Sequence, residues 1–372
     1  MRKTYPQPKR KNNRYICPEC GVGYNDRSGY RYHYENKHPE LLEAYQKTKD
    51  IEKPGKDIME QAQVISKLVI GELPKLKRLT PIVRSKGDLK EESWVLQLSD
   101  MHYGQLVKGV EVGGLSEYSP AIAKERLDYL AGTLVRVLEY HTNPPKELVI
   151  IFGGDIIDGS VLRGNQQSNI EFGAIQQVIE VHQLLSDFII FLSGHFPKIR
   201  CYGVYGNHAR MTANPKDSHP AENFDLLIYD IIKARVNPLK DISMEYTKAQ
   251  HMIIDIQGYN FWCEHGDTVR GWMGLPFYGA NREKGNINAM MGLFKQSADY
   301  LLMSHHHNPA KFNNIYINGS FPGGDLYSIG RIRAMGIPSQ NLLGVNSKHG
   351  VVWDRAIRLI DKINIEDIKI YK

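Results

Sequence analysis

Beyond residue 92, short apolar runs that end in polar clusters alternate with longer segments whose apolar residues recur every three or four positions. The runs 94–98, 148–152, 199–205 and 300–303 are bounded by Gly or polar residues and predict buried strands. Segments 119–141, 172–194, 221–236 and 286–297 carry the helical period. Ser119-Pro120 is a start signal for the first and Gly194 a stop for the second. Three successive strands are predicted over 242–247, 251–256 and 259–264, with closing strands over 312–318 and 350–372. Strands alternating with helices predict an α/β domain over 93–372.

The N-terminal quarter follows a different pattern. Residues 39–92 are charged and punctuated by Pro54-Gly55, Pro74 and Pro81, which predicts a partly helical linker with helices over 39–49 and 57–70. Residues 1–90 hold 20 Lys and Arg against 11 Asp and Glu, a net of +9, whereas the rest of the chain has a net of −3. The first 16 residues carry six basic groups and no acid, so 1–14 is expected to be a basic arm of the kind that grips nucleic acid. No apolar run reaches the roughly 18 residues of a membrane span; the longest, 184–192, contains Asp187. No apolar stretch follows the basic N-terminus, so no secretory signal is expected. Four cysteines, two of them paired as Cys17-x-x-Cys20, do not make a disulfide framework. The expectation is a cytoplasmic, intracellular protein that does not use a membrane.

Residues 15–38 read YICPECGVGYNDRSGYRYHYENKH, with the spacing Cys17-x(2)-Cys20-x(12)-His33-x(4)-His38. Tetrahedral zinc takes four nitrogen or sulfur ligands, and this spacing sets a two-Cys hairpin against two His on one helix face. Tyr15, Tyr24 and Tyr30 occupy the three core positions of the Cys-Cys-His-His zinc finger, which the segment resembles; a small ββα unit with one structural zinc is expected. By that resemblance Asp26, Gly29 and Tyr32 face the bases, and none is suited to reading guanine or adenine. Phosphate contacts through Arg27, Arg31, Lys37 and the arm are expected instead. A protein-docking role for the finger is the alternative.

Five predicted strand ends carry metal-ligand side chains: Asp100 and His102 in D-x-H, Asp155 and Asp158 in G-D-x-x-D, Asn207 and His208 in G-N-H, His265 in H-G-D, and His305 and His307 in H-x-H. Ligand sites in α/β folds lie beyond the carboxyl ends of strands. In this order the motifs resemble those of the calcineurin-like metallophosphoesterase family over about 93–361. The resemblance implies a four-layer α-β-β-α sandwich and two divalent ions. One would take Asp100, His102, Asp155 and His307; the other Asp155, Asn207, His265 and His305, with Asp155 as bridge. The mixed nitrogen and oxygen set suits Mn, Fe or Zn. Such a pair clamps a phosphoryl group and supplies a metal-bound hydroxide near neutral pH. His208 is the implied acid for the leaving oxygen, and Asp158 its orienting carboxylate.

The chain departs from the family pattern at two places. Ala209 and Arg210 stand where an acid usually follows G-N-H, and Ser304 replaces a Gly. His306 is expected to point away from the ligands and Asp267 to be a turn residue, while Arg163 and Arg210 are candidate phosphate contacts, the first in a loop that also holds Asn165 and Gln167. Trp262, Trp272 and Tyr278 are candidate base-stacking or core aromatics; His182 and His195 read as ordinary histidines. The dimetal set with the finger and the arm favours a phosphodiesterase, a DNA nuclease. The alternatives are a phosphomonoesterase acting on phosphoprotein or nucleotides, with the finger for docking, and a non-catalytic subunit, which the intact ligand set opposes.

Overall fold

The computed structural model describes residues 5–11, 14–43, 92–141, 144–162, 166–214, 222–271, 276–333 and 335–359, with scattered positions between 64 and 79 and at 216 and 219. Two compact units divide the chain, Met1–Ile65 and Ser66–Lys372.

In the first unit three antiparallel strands, β1 (Lys9–Lys11), β2 (Arg14–Ile16) and β3 (Gly23–Tyr24), precede helix α1 (Arg27–Lys37). Asp26 caps the helix by accepting from the Gly29 amide at 2.7 Å. Tyr30 and Tyr34 are buried against Cys17 and Leu42, with Tyr5, Tyr15 and Tyr24 packed around them. Part of the expected basic arm is therefore folded: 9–11 is a strand, the Tyr30 hydroxyl donates to the Pro6 carbonyl at 2.8 Å, and the Tyr5 hydroxyl donates to Glu35 at 2.6 Å. The tyrosines make this difference, because each buries a ring and needs a partner for its hydroxyl. A helical turn at 39–43 adds Leu42 to the same core; the rest of the expected 39–49 helix lies outside the described residues.

The second unit contains two sheets. The first has six strands, with β4 (Glu92–Leu98), β5 (Glu147–Phe152), β6 (Ile199–Gly203) and β7 (Ile242–Tyr246) parallel in that order, and β13 (Ser339–Asn346) and β14 (Gly350–Arg358) added antiparallel beyond β4. The parallel strands are joined by helices α2 (Pro120–Tyr140), α3 (Ala174–Ser193) and α4 (Phe224–Val236). The second sheet has the order β11 (Ala310–Phe312), β12 (Ile315–Ile317), β10 (Tyr300–Met303), β9 (Tyr259–Glu264), β8 (His251–Ile256). Helix α5 (Phe277–Gly292) covers it.

Strand alternation produces the layers. Val95, Val149 and Ile151 face Ile254, Phe261, Cys263 and Leu302 across the middle of the sandwich. On the opposite faces, Trp94 meets Phe196 and Phe152 meets Tyr229 on the helix side, while Trp262, Leu301 and Ile317 pack with Ala280, Ile287 and Met291 of α5 and its surroundings. Each fully buried aliphatic or aromatic side chain is worth roughly 1.5–3 kcal/mol. Truncating Phe261, fully buried at the centre, would cost about 3–5 kcal/mol. This is the α-β-β-α sandwich that the family resemblance implied, and it fills in the α/β domain that the strand and helix pattern predicted.

Several elements differ from the pattern-based expectation. The helix expected at 286–297 runs over Phe277–Gly292, because its first half, rich in Gly, Asn and charge, shows little apolar periodicity. Residues 312–318 are half of a hairpin, turned at Asn313 and Asn314, both at positive φ as a two-residue hairpin loop requires. Strand β13 was not anticipated, since its buried Gln340 and Asn341 break the apolar pattern. Of the closing strand, 360–372 lies outside the described residues. Ser66 bonds Asp230 at 3.2 Å, and Arg78 bonds Asp241 at 3.2 Å and the Pro197 carbonyl at 2.9 Å, so the second unit begins before residue 93. Helix α3 is apolar and long enough to cross a membrane by composition; here Val181, Leu185, Ile189 and Leu192 are buried in the core.

Candidate functional site

The five motifs meet at the carboxyl ends of β4, β5, β6, β9 and β10. Their backbone conformations are unusual. Asp100, His102, Asp155, His305 and His307 all have φ between +46° and +66°, the left-handed region that costs a non-Gly residue about 1–2 kcal/mol. Such strain persists where surrounding structure enforces it. The enforcing bonds are visible: Asp100 N and His102 N donate to the Gly154 and Asp155 carbonyls, each at 3.0 Å, and His305 N donates to the Asp100 carboxylate at 3.1 Å. Gly206 is required by close approach, because a Cβ there would stand 2.1 Å from Asp155 Oδ1. Ser304, where the family has Gly, is accommodated by Gly153, whose missing Cβ would lie 2.3 Å from the Ser304 hydroxyl.

Two ligand clusters form. In one, Asp100, His102 and His307 bring their ligand atoms within 4.8 Å of one another. His307 Nε2 lies 3.1 Å from His102 Nε2 and 3.4 Å from Asp100 Oδ1. In the other, Asp155, His265 and His305 do the same. His265 Nε2 lies 3.1 Å from Asp155 Oδ2 and 3.1 Å from Asn207 Oδ1. Asp155 Oδ2 is also 4.0 Å from His102 Nε2, so this carboxylate stands between the clusters. A third grouping, His102, Asp158 and His208, overlaps the first.

These residues fit metal ions. Asp155 Oδ2 is buried without a hydrogen-bond partner, and such an orphan is expensive in a dry interior. His265 Nδ1 lies 2.8 Å from the Gly153 carbonyl and donates to it, which leaves Nε2 as a lone pair aimed at two further acceptors, Asp155 Oδ2 and Asn207 Oδ1. Only a cation or a proton on Nε2 relieves that arrangement. Burial works to lower the His265 imidazole, but the Asp155 carboxylate outweighs it and holds it well above the usual range. Burial and the neighbouring His265 push His305 down to about 3, and burial and His208 lower His102, so both rings are neutral as ligands must be. Asp100 and Asp155 are buried, which opposes ionisation; contact with His307 and His265 overrides burial and keeps both carboxylates ionised.

His208 lies beside the clusters. Its amide donates to Asp155 Oδ1 at 2.7 Å, and its Nδ1 is 3.1 Å from Asp158 Oδ1. That same oxygen is 3.3 Å from His102 Nδ1, off the ideal line for a hydrogen bond. Gln166 Nε2 donates to Asp158 Oδ2 at 3.0 Å, and Gln177 holds the adjoining Gly159 through both of its backbone groups. Burial works against the Asp158 charge, yet the two imidazoles hold its carboxyl well below the ordinary range.

A buried acid on another element braces the turns of the site. Asp225, buried at the start of α4, accepts from the amides of Asp155 at 2.9 Å, Ile156 at 3.2 Å and Gly206 at 2.9 Å. Burial and Asp155 push its carboxyl up to about 7, against the three amides that favour the charge. Asn223 caps the helix by accepting from Asp225 N and ties it back by donating to the Gly206 carbonyl at 2.7 Å. Nothing in the sequence distinguished Asp225 from other helix-start acids. Ser99, whose hydroxyl donates to Asp100 Oδ2 at 2.7 Å, and Asn318 and Gln340 behind it were also not anticipated, since buried polar networks leave no local signature.

The remaining candidates fall in varied places. His306 belongs to neither cluster. Arg163, Asn165 and Trp272 lie outside the described residues. Arg210 lines the site, but its guanidinium donates to the carbonyls of Thr212, Asn207 and Ala213, which pins the loop that carries Asn207. Trp262 is only 3% exposed and stacks on His251 at 3.9 Å, so it is a core ring rather than a free platform; Tyr278 is exposed. His182 is buried in α3 and Asp267 sits in an exposed turn. In the small unit Cys17, Cys20, His33 and His38 bring their ligand atoms within 4.8 Å of one another, a geometry compatible with a metal ion, with Cys20 Sγ 3.2 Å from His33 Nε2.

Clefts open on two sides of the clusters. One, of about 250 Å³, is lined by His208, Asp158, Leu106, Tyr327 and Arg331 among others. The second, of about 220 Å³, is lined by Asn207, His265, Arg210, Glu264 and Asp267 among others.

The family model for calcineurin-like phosphoesterases matches residues 93–330, well over half of the chain and all five motifs. A curated protein, the SPbeta prophage-derived uncharacterized protein YonJ of Bacillus subtilis (strain 168), is 23% identical over 223 residues, 59% of this chain and 50% of its own. The chain thus spans about half the length of that relative. Among solved structures, a predicted phosphoesterase from Streptococcus pneumoniae TIGR4 is 12% identical, over 72% of this chain and 98% of that one, with a TM-score of 0.26. Zinc-complexed Vps29 from Entamoeba histolytica is 11% identical, over 72% and 99%, with a TM-score of 0.27. A putative 5'-nucleotidase from Staphylococcus aureus is 10% identical, over 73% and 55%, with a TM-score of 0.32. Family members use a dimetal site to hydrolyse phosphoesters, and the chain belongs to the calcineurin-like phosphoesterase family.

Proposed function

We propose that this phosphoester hydrolase is a dimetal phosphodiesterase that cuts DNA. Asp100, His102, Asp155 and His307 would hold one ion; Asp155, Asn207, His265 and His305 the other; Mn, Fe and Zn suit the donor set. Bound there, the ions would supply a hydroxide near neutral pH and offset the negative charge of the phosphoryl group. The protein's own residues do the rest. Asp158 holds the His208 ring through Nδ1, and Nε2 would protonate the leaving oxygen. Asp225 and Gly206 hold the Asp155 and Asn207 turns in the register that faces the carboxylate and the amide to His265.

The observation that carries the diester reading is the pair of clefts, one on the His208 side and one on the Asn207 and His265 side. A diester has a substituent to place on each side of its phosphorus; a monoester has one. The basic N-terminal quarter, at net +9 over residues 1–90, supports a polyanionic partner. In this reading the four Cys and His residues of the first unit hold a structural zinc, and the unit grips phosphates rather than reading bases, because Asp26 is spent on the helix cap. Docking of a protein partner is its second use. The setting is intracellular.

The test is hydrolysis by the Mn-loaded protein of single- and double-stranded DNA, a chromogenic diester and a chromogenic monoester, beside Asp155→Asn and His208→Ala. Cleavage of DNA and diester that both variants lose supports the proposal. Turnover of the monoester alone overturns the nuclease reading.

A further inference from the structure

The cleft beside His208 is lined by Asp325, Leu326, Tyr327 and Arg331, which belong to a segment that no motif includes. The segment leaves the sheet after Phe321, whose amide donates to the Asp100 carbonyl at 2.9 Å, and it closes where Gly336 N donates to the Gly323 carbonyl at 3.1 Å. A Cβ on Gly336 would stand 2.2 Å from the His307 carbonyl, so both ends of the loop are fitted against ligand residues. Within it Asp325 and Ser328 bond reciprocally, at 2.7 and 2.8 Å, and the chain makes a π-helical turn over Ser328–Ile332 that ends at Arg333 with φ +59°. Turns of this kind recur at functional sites. The loop thus holds Tyr327 and Arg331 in the wall of the cleft, which Leu106 and Val107 also line. Among the described residues no bond is made to the Arg331 guanidinium, which is exposed.

We infer that this cleft is the leaving-group subsite, and that Tyr327 and Arg331 select a nucleoside carrying a further phosphate. The inference rests on the phosphodiesterase reading. His208 defines the side, because the group that receives its proton must leave next to it. The lining defines the chemistry: the Tyr327 ring and three aliphatic side chains, Leu106, Val107 and Leu326, suit a base, and the Arg331 guanidinium suits a phosphate, which it can hold bidentately, while Asp325 in the same wall accepts from the Ser328 amide. The size of about 250 Å³ suits a single nucleoside. In the reaction the phosphorus–oxygen bond to that nucleoside breaks and water supplies the new oxygen on phosphorus. The water's proton goes to solvent, and the His208 proton ends on the leaving hydroxyl.

The test compares kcat/KM for two dinucleotides, with and without a terminal phosphate on the leaving nucleoside. Wild type is expected to prefer the phosphorylated one by roughly tenfold, the worth of one charge-assisted contact. Arg331→Gln is expected to bring the ratio to about one and Arg331→Lys to restore part of it. No preference in wild type, or an equal loss on both substrates in Arg331→Gln, overturns the inference. Should wild type cleave no diester, the nuclease reading has failed, and the subsite is read from inhibition of 4-nitrophenyl phosphate hydrolysis. A nucleoside 3',5'-bisphosphate is then expected to inhibit wild type roughly tenfold better than the nucleoside, and Arg331→Gln no better. Equal inhibition by the two in wild type overturns it.

Discussion

Asp158 Oδ1 lies 3.3 Å from Nδ1 of His102, a ligand candidate, as well as 3.1 Å from Nδ1 of His208. One carboxylate therefore touches both a candidate ligand ring and the proposed acid, with hydrogen-bond geometry only toward His208. Carboxylates behind ligating histidines usually change metal affinity by 10–100-fold. We expect Asp158→Asn to lower kcat about a hundredfold and to weaken metal binding about tenfold, measured by titration calorimetry with Mn. Unchanged metal affinity beside a lost kcat would mean that Asp158 serves His208 alone.

Asp225 is a brace rather than a ligand. Three amides depend on its carboxylate, two of them in the Asp155 turn. Asp225→Ala leaves those buried donors unsatisfied, at about 1–3 kcal/mol each less any repair by water. The expected result is a denaturation midpoint lowered by the equivalent of roughly 3 kcal/mol, together with weaker metal binding. Asp225→Asn retains an acceptor oxygen and should recover part of both. An Asp225→Ala protein as stable as wild type would remove this brace from the account.

His182 gives a pH signature away from the site. It is buried in α3, and burial together with Arg235 lowers its imidazole to about 4. The unfolded chain takes up this proton near pH 6.5, the folded one only near 4. The unfolded state therefore binds more protons across that window, and stability falls as pH drops from 6.5 to 4, by about 2 kcal/mol from this group. His182→Gln should flatten that part of the stability curve in urea titrations at pH 7, 5.5 and 4.5. Parallel curves for the two proteins would show that this histidine does not titrate as described.

The first unit should fold through its metal. Its core is four buried residues and three half-buried tyrosines, small for an independent fold. Cys17→Ser is expected to abolish its ordered tyrosine environment in near-ultraviolet circular dichroism. It should also lower DNA affinity and reduce the salt dependence of binding, without abolishing diester cleavage by the second unit. DNA affinity that is unchanged at several salt concentrations would remove the grip from this unit.

The candidate ligand residues were legible because each follows a short apolar strand; parallel pairing within each sheet and the packing of the two sheets bring those ends together. What could not be read was support that arrives from elsewhere in the chain. Asp225 serves a turn 70 positions away, and Gln340 and Asn341 satisfy Ser99 and Gln97 beside them and Asn318 after β12. These polar side chains look like surface residues until the sheet closes over them, which is why β13 was missed. The start of α5 was missed because its Gly-rich first half is held by contact, with Gly279 against the Arg270 carbonyl, rather than by propensity. The folding of the basic arm depended on tyrosines whose partners, Pro6 and Glu35, are distant in sequence.

The central claim is that Asp155 joins two metal ions, and electron paramagnetic resonance of the Mn-loaded protein tests it most directly. The account predicts the spectrum of an exchange-coupled pair in wild type and isolated or absent Mn in Asp155→Asn. A spectrum of isolated Mn in wild type, or a coupled pair that survives in Asp155→Asn, would contradict it.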